Sequence, residues 1–362
     1  MQYDANYVET YIKNSLLSKT GEAFFDFSLE NEMIYSDLNM IGNGLCIEII
    51  GDDSFFYILE STQVQAVAIH GYRTVLVYRG MLEFIFRISA MMVGSQSRLN
   101  DKDKIFYEPW RDNINAWLNG GVFDWEDERY WWIHDETSRD AFYHLVEWLF
   151  EFVVLHEIGH IHNLHGERRN DNEKAKVFIH RAVSFDEEKD ESERLSAHAR
   201  EIIADTYAFQ FLFENCKEHM FSKSIYPDVD EGGLLVVNYI YCIYIVASFF
   251  WAMSIIRPMK NNEQNDCYPS HVFRLTAIET ASLEHNICGS DRTKDVLMMG
   301  MNNYIKHSMS ASGDDRIFHW RNTMNYPANQ DHYERICNIT KEWANLKFGV
   351  RDEDWLPPYL RD

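Results

Sequence analysis

From Leu234 to Ile256 the chain reads LLVVNYIYCIYIVASFFWAMSII, without a single charge. Such a stretch has two fates. It spans a bilayer, for which about 20 apolar residues suffice, or it becomes a helix buried on every side. Arg257 and Lys260 follow it, as a cytoplasmic flank would. Several tyrosines inside it and the lack of a second span favour the buried helix, with the membrane span as the alternative. A buried helix of that length needs a large core around it. Hydrophobic residues form 46% and aromatics 15% of the 362 residues, which supplies one and excludes global disorder.

Charge narrows the partners. The formal net charge is -23, from 57 acidic and 34 basic residues. A surface this acidic repels phosphate backbones and gives no general attraction to anionic lipid, so nucleic acid is excluded as a partner. The six cysteines are far apart and form no Cys-X-X-Cys pair. That is neither a secreted disulfide framework nor a thiolate zinc cage. The first twenty residues lack a basic start followed by an apolar run. A cytoplasmic protein with free thiols is the expectation.

Along the chain, residues 1–40 read as mixed helix and loop. Leu45 to Leu59 suggest two strands around a turn at Gly51-Asp52-Asp53-Ser54. Two β-rich runs, VQAVAI and TVLVY, flank His70-Gly71, and a helical run follows Arg79-Gly80. Residues 94–137, rich in Trp, Asp and Asn, read as an irregular cover with short helices. A long helix is expected to start near Thr137 or Ser138, with Phe142, Leu145, Leu149 and Phe152 on its buried face. The charged residues 166–193 read as an exposed insertion. A second helix is expected from Glu193 to Glu218, then the apolar run, a loop at 261–270, further helices, and a tail from Trp355. No linker divides the chain. The expected architecture is one domain over 1–362, mainly α with a small β-sheet (α+β), interrupted by insertions at 94–137 and 166–193.

The long helix ends in His156-Glu157-Ile158-Gly159-His160. Two histidines four apart project from one face, so both imidazoles can bind one ion. Zinc accepts such nitrogens and wants a roughly tetrahedral set. Glu157 sits near the open side of the metal, where a carboxylate can take a proton from acidified water. By chance the pattern arises about once in twenty such sequences, so context decides. A polar trio late in an apolar helix needs a reason to be buried. Gly159 keeps one flank slim for close packing or substrate approach.

The third ligand fixes the class. Where HExxHxxGxxH would place its glycine and histidine, this chain has Asn163 and Gly166, and His162 and His165 miss the register. Glu201-Ile202-Ile203-Ala204-Asp205 fits instead. Glu201 and Asp205 share a helical face. Glu201 can complete the metal ligands His156 and His160, and Asp205 can accept a hydrogen bond from a ligand imidazole.

HEIGH followed by EIIAD resembles the glutamate-type zincin (gluzincin) metallopeptidases with an HExxH…ExxxD pattern, similar to the HtpX and CAAX-prenyl-protease type. QAVAIHGYRTVLVYRGMLEFI resembles the strand, glycine and helix before the metal helix in that group. Tyr268-Pro269-Ser270-His271-Val272-Phe273-Arg274 resembles its His-Pro-Ser-x-x-x-Arg segment, with tyrosine at the histidine position. The resemblance covers under a third of the chain and lacks the group's several spans, which leaves a soluble Lit-like phage-exclusion peptidase as a further match. It implies a zincin-like core and a zinc ion on His156, His160 and Glu201. It also implies Glu157 as general base, Asp205 behind the ligands, and substrate laid along an edge strand, for which Thr74–Tyr78 is the candidate.

The expected reaction is zinc-dependent hydrolysis of a peptide or protein substrate. Tyr268, His271 and Arg274 are the candidates for steadying the oxyanion, with Arg274 assigned, like Asp205, to a place behind the ligands. His70, His198, His285 and His319 read as ordinary core or surface residues. Two alternatives stand beside the soluble peptidase: a non-catalytic zinc-binding regulator and a membrane-embedded peptidase.

Overall fold

The computed structural model describes residues 4–347, apart from 30–32, 101–107, 109, 128–129, 131, 133–134, 167, 169–190, 220–221, 223, 225, 259–267, 286–289, 313–315, 323–326 and 344. Most of the charged insertion at 166–193, most of the 261–270 loop and the tail from Trp355 therefore lie outside the described residues.

The elements run α1 (Ala5–Ile12), β1 (Ala23–Phe24), α2 (Met33–Ile49), β2 (Phe55–Glu60), β3 (Ala66–Ile69), β4 (Thr74–Tyr78), α3 (Arg79–Asn100), α4 (Ile114–Leu118), α5 (Glu136–His162), α6 (Glu191–His219), α7 (Glu231–Ile256), α8 (His271–His285), α9 (Ser290–Ser312), α10 (Arg316–Asn322) and α11 (Pro327–Lys341). The described chain is mostly helical with one small sheet, as the α+β expectation has it.

The apolar run is α7. Asp230 caps it, its side chain accepting from the Gly233 amide at 2.8 Å. Among the described residues it is the one helix long and apolar enough to cross a membrane, and 67% of its most apolar stretch is buried inside the protein. It packs against α6, α8 and α9. Close approach to α9 depends on Gly300, where a Cβ would stand 2.9 Å from the Ile243 side chain and 3.1 Å from the Ile240 carbonyl.

The sheet has the order β1-β2-β4-β3, with β2 and β4 parallel and the other pairs antiparallel. Two expectations need correction here. Leu45 to Ile49 is not a strand but the last turns of α2, whose Ile34, Leu38 and Leu45 bury one helical face. Thr74–Tyr78 is not an edge strand either. β4 lies between β2 and β3, with all five residues buried, as a continuous apolar run in a central strand should be. The edge on that side belongs to β3, which packs against α5.

α5 begins two residues earlier than expected. Asp135 caps it by accepting from the Ser138 amide at 2.8 Å. Phe142, Leu145, Leu149 and Phe152 are buried, as their spacing predicts. The 94–137 segment starts inside α3, and Trp110, Phe123, Tyr130 and Trp132 from it are core residues, not a cover. α5 and α6 lie against each other. Gly159 allows this, since a Cβ there would stand 3.0 Å from the Tyr207 ring and 3.2 Å from the Ala204 Cα.

One carboxylate in this interface costs stability. Burial pushes the pKa of Glu151 up to about 7, against a hydrogen bond from Asn215 Nδ2 at 3.1 Å. A raised folded pKa gives stability that is present below the ordinary carboxylate range and lost as pH rises through 7. Glu151→Gln should therefore stabilise the protein by about 1–2 kcal/mol at pH 8, because the side chain is only partly buried. Thermal unfolding at pH 8 and pH 5 checks this, and the gain should shrink towards pH 5.

Candidate metal centre

The last turns of α5 present His156 and His160 from one face, with their Nε2 atoms 3.1 Å apart. α6 carries Glu201 to the same point. Its Oε2 lies 3.4 Å from His156 Nε2 and its Oε1 3.5 Å from His160 Nε2. The three residues form a group able to hold a metal ion, with ligand atoms within 4.8 Å of one another. Four tetrahedral ligands at about 2.0–2.1 Å from zinc stand about 3.3–3.4 Å apart. The two imidazole nitrogens stand close to that spacing, and one carboxylate oxygen of Glu201 lies at a similar distance from each of them, Oε2 from His156 and Oε1 from His160.

The electrostatics fit as well. Burial disfavours a charged His156, yet Asp205 and Glu201 outweigh it and push its pKa up to about 10. Burial also opposes the charge on Glu201, but His156, His160 and Arg274 hold it well below the usual range. Glu157, Glu201 and Asp205 face one guanidinium, Arg274. With all ionised and the histidines neutral, three negative charges and one positive leave two negative. A divalent cation cancels them.

The support behind the ligands is well defined. Asp205 Oδ1 lies 2.9 Å from His156 Nδ1. Asp205 is fully buried and takes two hydrogen bonds from Arg274, from Nε and from Nη2, each at 2.6 Å. Arg274 Nη2 also lies 3.5 Å from Glu201 Oε2, and its guanidinium covers the Phe250 ring of α7 at 5.1 Å. Burial opposes the charge on Asp205, but Arg274 and His156 together hold its pKa low. The apolar helix thus floors the site, and Arg274 ties α8 to α6.

Glu157 is buried, 9% exposed, and the backbone N–H of Ala68 on the β3 edge donates to it. Burial raises its pKa to about 7, with Glu201 adding to the rise and His156, Arg274 and Ala68 opposing it. A cation in the site would draw that value down. His271 begins α8 within electrostatic reach of Asp205 and Glu201. Burial, Arg274 and Arg257 push its pKa down to about 3, so its ring is neutral and carries one N–H. Tyr268 is 40% exposed, with Arg257 as a charged neighbour.

Two histidines that the sequence assigned no role at the site, His165 as out of register for a ligand and His70 as an ordinary residue, lie beside it. His165 Nδ1 lies 2.7 Å from His160 Nδ1, and His165 is fully buried. The His70 ring meets His160 edge-on at 6.5 Å, and Gly166 is packed so closely on His70 that a Cβ would stand 2.8 Å from the ring. The position that carries a histidine ligand in HExxHxxGxxH proteins therefore has no room here for a side chain. His198, read as an ordinary residue, is buried against His332, with Nδ1 and Nε2 2.9 Å apart.

No family model, curated protein or solved structure matches the chain.

Proposed function

We propose that this protein is a zinc-dependent endopeptidase of the HExxH…ExxxD kind, with a zincin-like core. The observation that carries the proposal is the convergence of His156, His160 and Glu201, with ligand atoms within 4.8 Å of one another and Glu157 buried beside them. A zinc ion held by these three residues supplies a Lewis acid that acidifies water and polarises an amide carbonyl.

The remaining work falls to the chain. Glu157 takes a proton from the attacking water and delivers it to the leaving amine nitrogen. Ala68 orients that carboxylate through its amide. The β3 edge, Ala66–Ile69, offers backbone groups to an extended peptide, which pairs as an added strand. Asp205 holds His156 in the tautomer that leaves Nε2 for the ion, and Arg274 holds Asp205. The neutral ring of His271 carries one N–H and is a candidate donor for the oxyanion. Tyr268, which is 40% exposed, is another candidate, and Arg274 is already committed to Asp205. A cytoplasmic protein acting on a peptide or protein substrate, without nucleic acid, goes with this reading.

The test is cleavage of a mixed library of unstructured peptides by the purified protein. Hydrolysis should stop on chelation and return on adding zinc. Activity unaffected by exhaustive chelation would rule the proposal out. Zinc retained without any cleavage would favour a metal-stabilised interaction protein instead.

A further inference from the structure

His160 has to turn Nε2 towards the ion, because that atom faces His156 Nε2 and Glu201 Oε1. A neutral imidazole that offers the Nε2 lone pair carries its proton on Nδ1. For His156 the matching nitrogen meets a carboxylate, Asp205. For His160 it meets Nδ1 of another imidazole, His165, at 2.7 Å.

The backbone delivers His165 to that point. α5 ends at Asn163, and Leu164 turns into the left-handed region with φ 54°. The Leu164 amide donates to the Ile161 carbonyl, and the His165 amide donates to the His160 carbonyl, each at 3.1 Å. This paired reversal at a helix end brings the residue after the turn back over the last full turn. The turn residue in such motifs is usually glycine, and a leucine there is strained. Asn163 locks the reversal: its side chain donates to the Gly159 carbonyl at 3.0 Å and exchanges hydrogen bonds with the Lys347 backbone at 2.9 and 2.6 Å. The apolar contact that often closes this motif is replaced here by one imidazole on another.

We propose that His165 is a positioning residue of the metal centre: its Nδ1 accepts the Nδ1 proton of His160 and holds that ring with Nε2 on the ion. The proposal rests on the zinc reading above. It requires that His165 carry its own proton on Nε2, an atom with no hydrogen-bond partner among the described residues. That unmet donor marks His165 as a poor choice for stability alone, since buried polar groups without partners cost free energy.

The test uses the full chain. Zinc affinity is measured by competition with a chromophoric chelator for the wild type, His165→Leu and His165→Asn. Each metal-free protein is also unfolded thermally. His165→Leu should bind zinc about 10- to 100-fold more weakly, the usual effect of removing a ligand's partner. Its metal-free form should unfold at the wild-type temperature or above. His165→Asn, which keeps an acceptor near the Nδ1 position, should recover part of the affinity. Should the leucine variant fail to fold, nitrogen-15 imidazole spectra of zinc-loaded wild type decide alone: His160 should be protonated on Nδ1 and His165 on Nε2. Equal zinc affinity in wild type and His165→Leu, or a proton on Nδ1 of His165, would overturn the positioning role and leave the zinc site standing. A wild type that binds no zinc would remove both.

Discussion

Glu157→Gln should lower peptide hydrolysis by about a hundred- to ten-thousandfold, the range general acid–base groups contribute, while zinc content stays unchanged. The carboxylate is buried beside the ligands without being one of them, and the Ala68 amide orients it. Glutamine keeps the size and the acceptor oxygen for Ala68 but cannot carry the proton. The variant should fold and load metal as the wild type does, and substrate affinity should change little. Steady-state kinetics with metal analysis of the same samples make the comparison. Full activity in the variant would remove Glu157 from the reaction, and loss of zinc would make it a ligand.

Arg274→Met should destabilise the metal-free protein by about 3–5 kcal/mol, the cost of leaving a buried charge without its partner. Asp205 is fully buried and takes both of its short hydrogen bonds from Arg274. The methionine still covers Phe250, so little packing is lost. Arg274→Lys should rescue only part of the loss, because an ammonium cannot reproduce the two parallel bonds. The pH dependence has a definite sign. Asp205 has a depressed folded pKa, so its contribution is present above the ordinary carboxylate range and lost as pH falls through it. The gap between wild type and Arg274→Met should therefore be widest near neutrality and narrow below pH 4. Denaturant unfolding at the two ends of that range checks both claims, and a variant as stable as the wild type at pH 7 would contradict the ion-pair account.

The parts of this molecule that sequence revealed are those where one periodicity governs. His156 and His160 sit four apart on a helix already marked by Phe142, Leu145 and Leu149. Glu201 and Asp205 repeat that spacing on α6, and the uncharged run became a helix with most of its surface buried. Failures came where two patterns compete or where the chain reverses. Cys46-Ile47-Glu48-Ile49-Ile50 is rich in β-branched residues like a strand, but α2 continues to Ile49 because its buried face is set by residues a helical turn apart. Val75-Leu76-Val77 is a short unbroken apolar run, the mark of a central strand, and the edge role belongs to β3, whose Ala66, Val67 and Ala68 are only half-buried. Asp135 took the cap from Thr137 and Ser138 because the acceptor lies three residues before the amide it serves. His165 is five residues past His160, a spacing no helix brings together, and only the left-handed turn at Leu164 does so. Arg274 meets Asp205 across 69 residues, a pairing that no local spacing encodes; only the resemblance of residues 268–274 to a known segment points to Arg274.

Metal analysis of the purified wild type beside Glu201→Ala tests the zinc site most directly. The proposed function predicts about one tightly held zinc per wild-type chain, and a loss of affinity large enough that Glu201→Ala emerges from dialysis empty. Equal metal content in the two proteins, or a wild type that takes up none, would contradict the assignment of His156, His160 and Glu201 to a single ion.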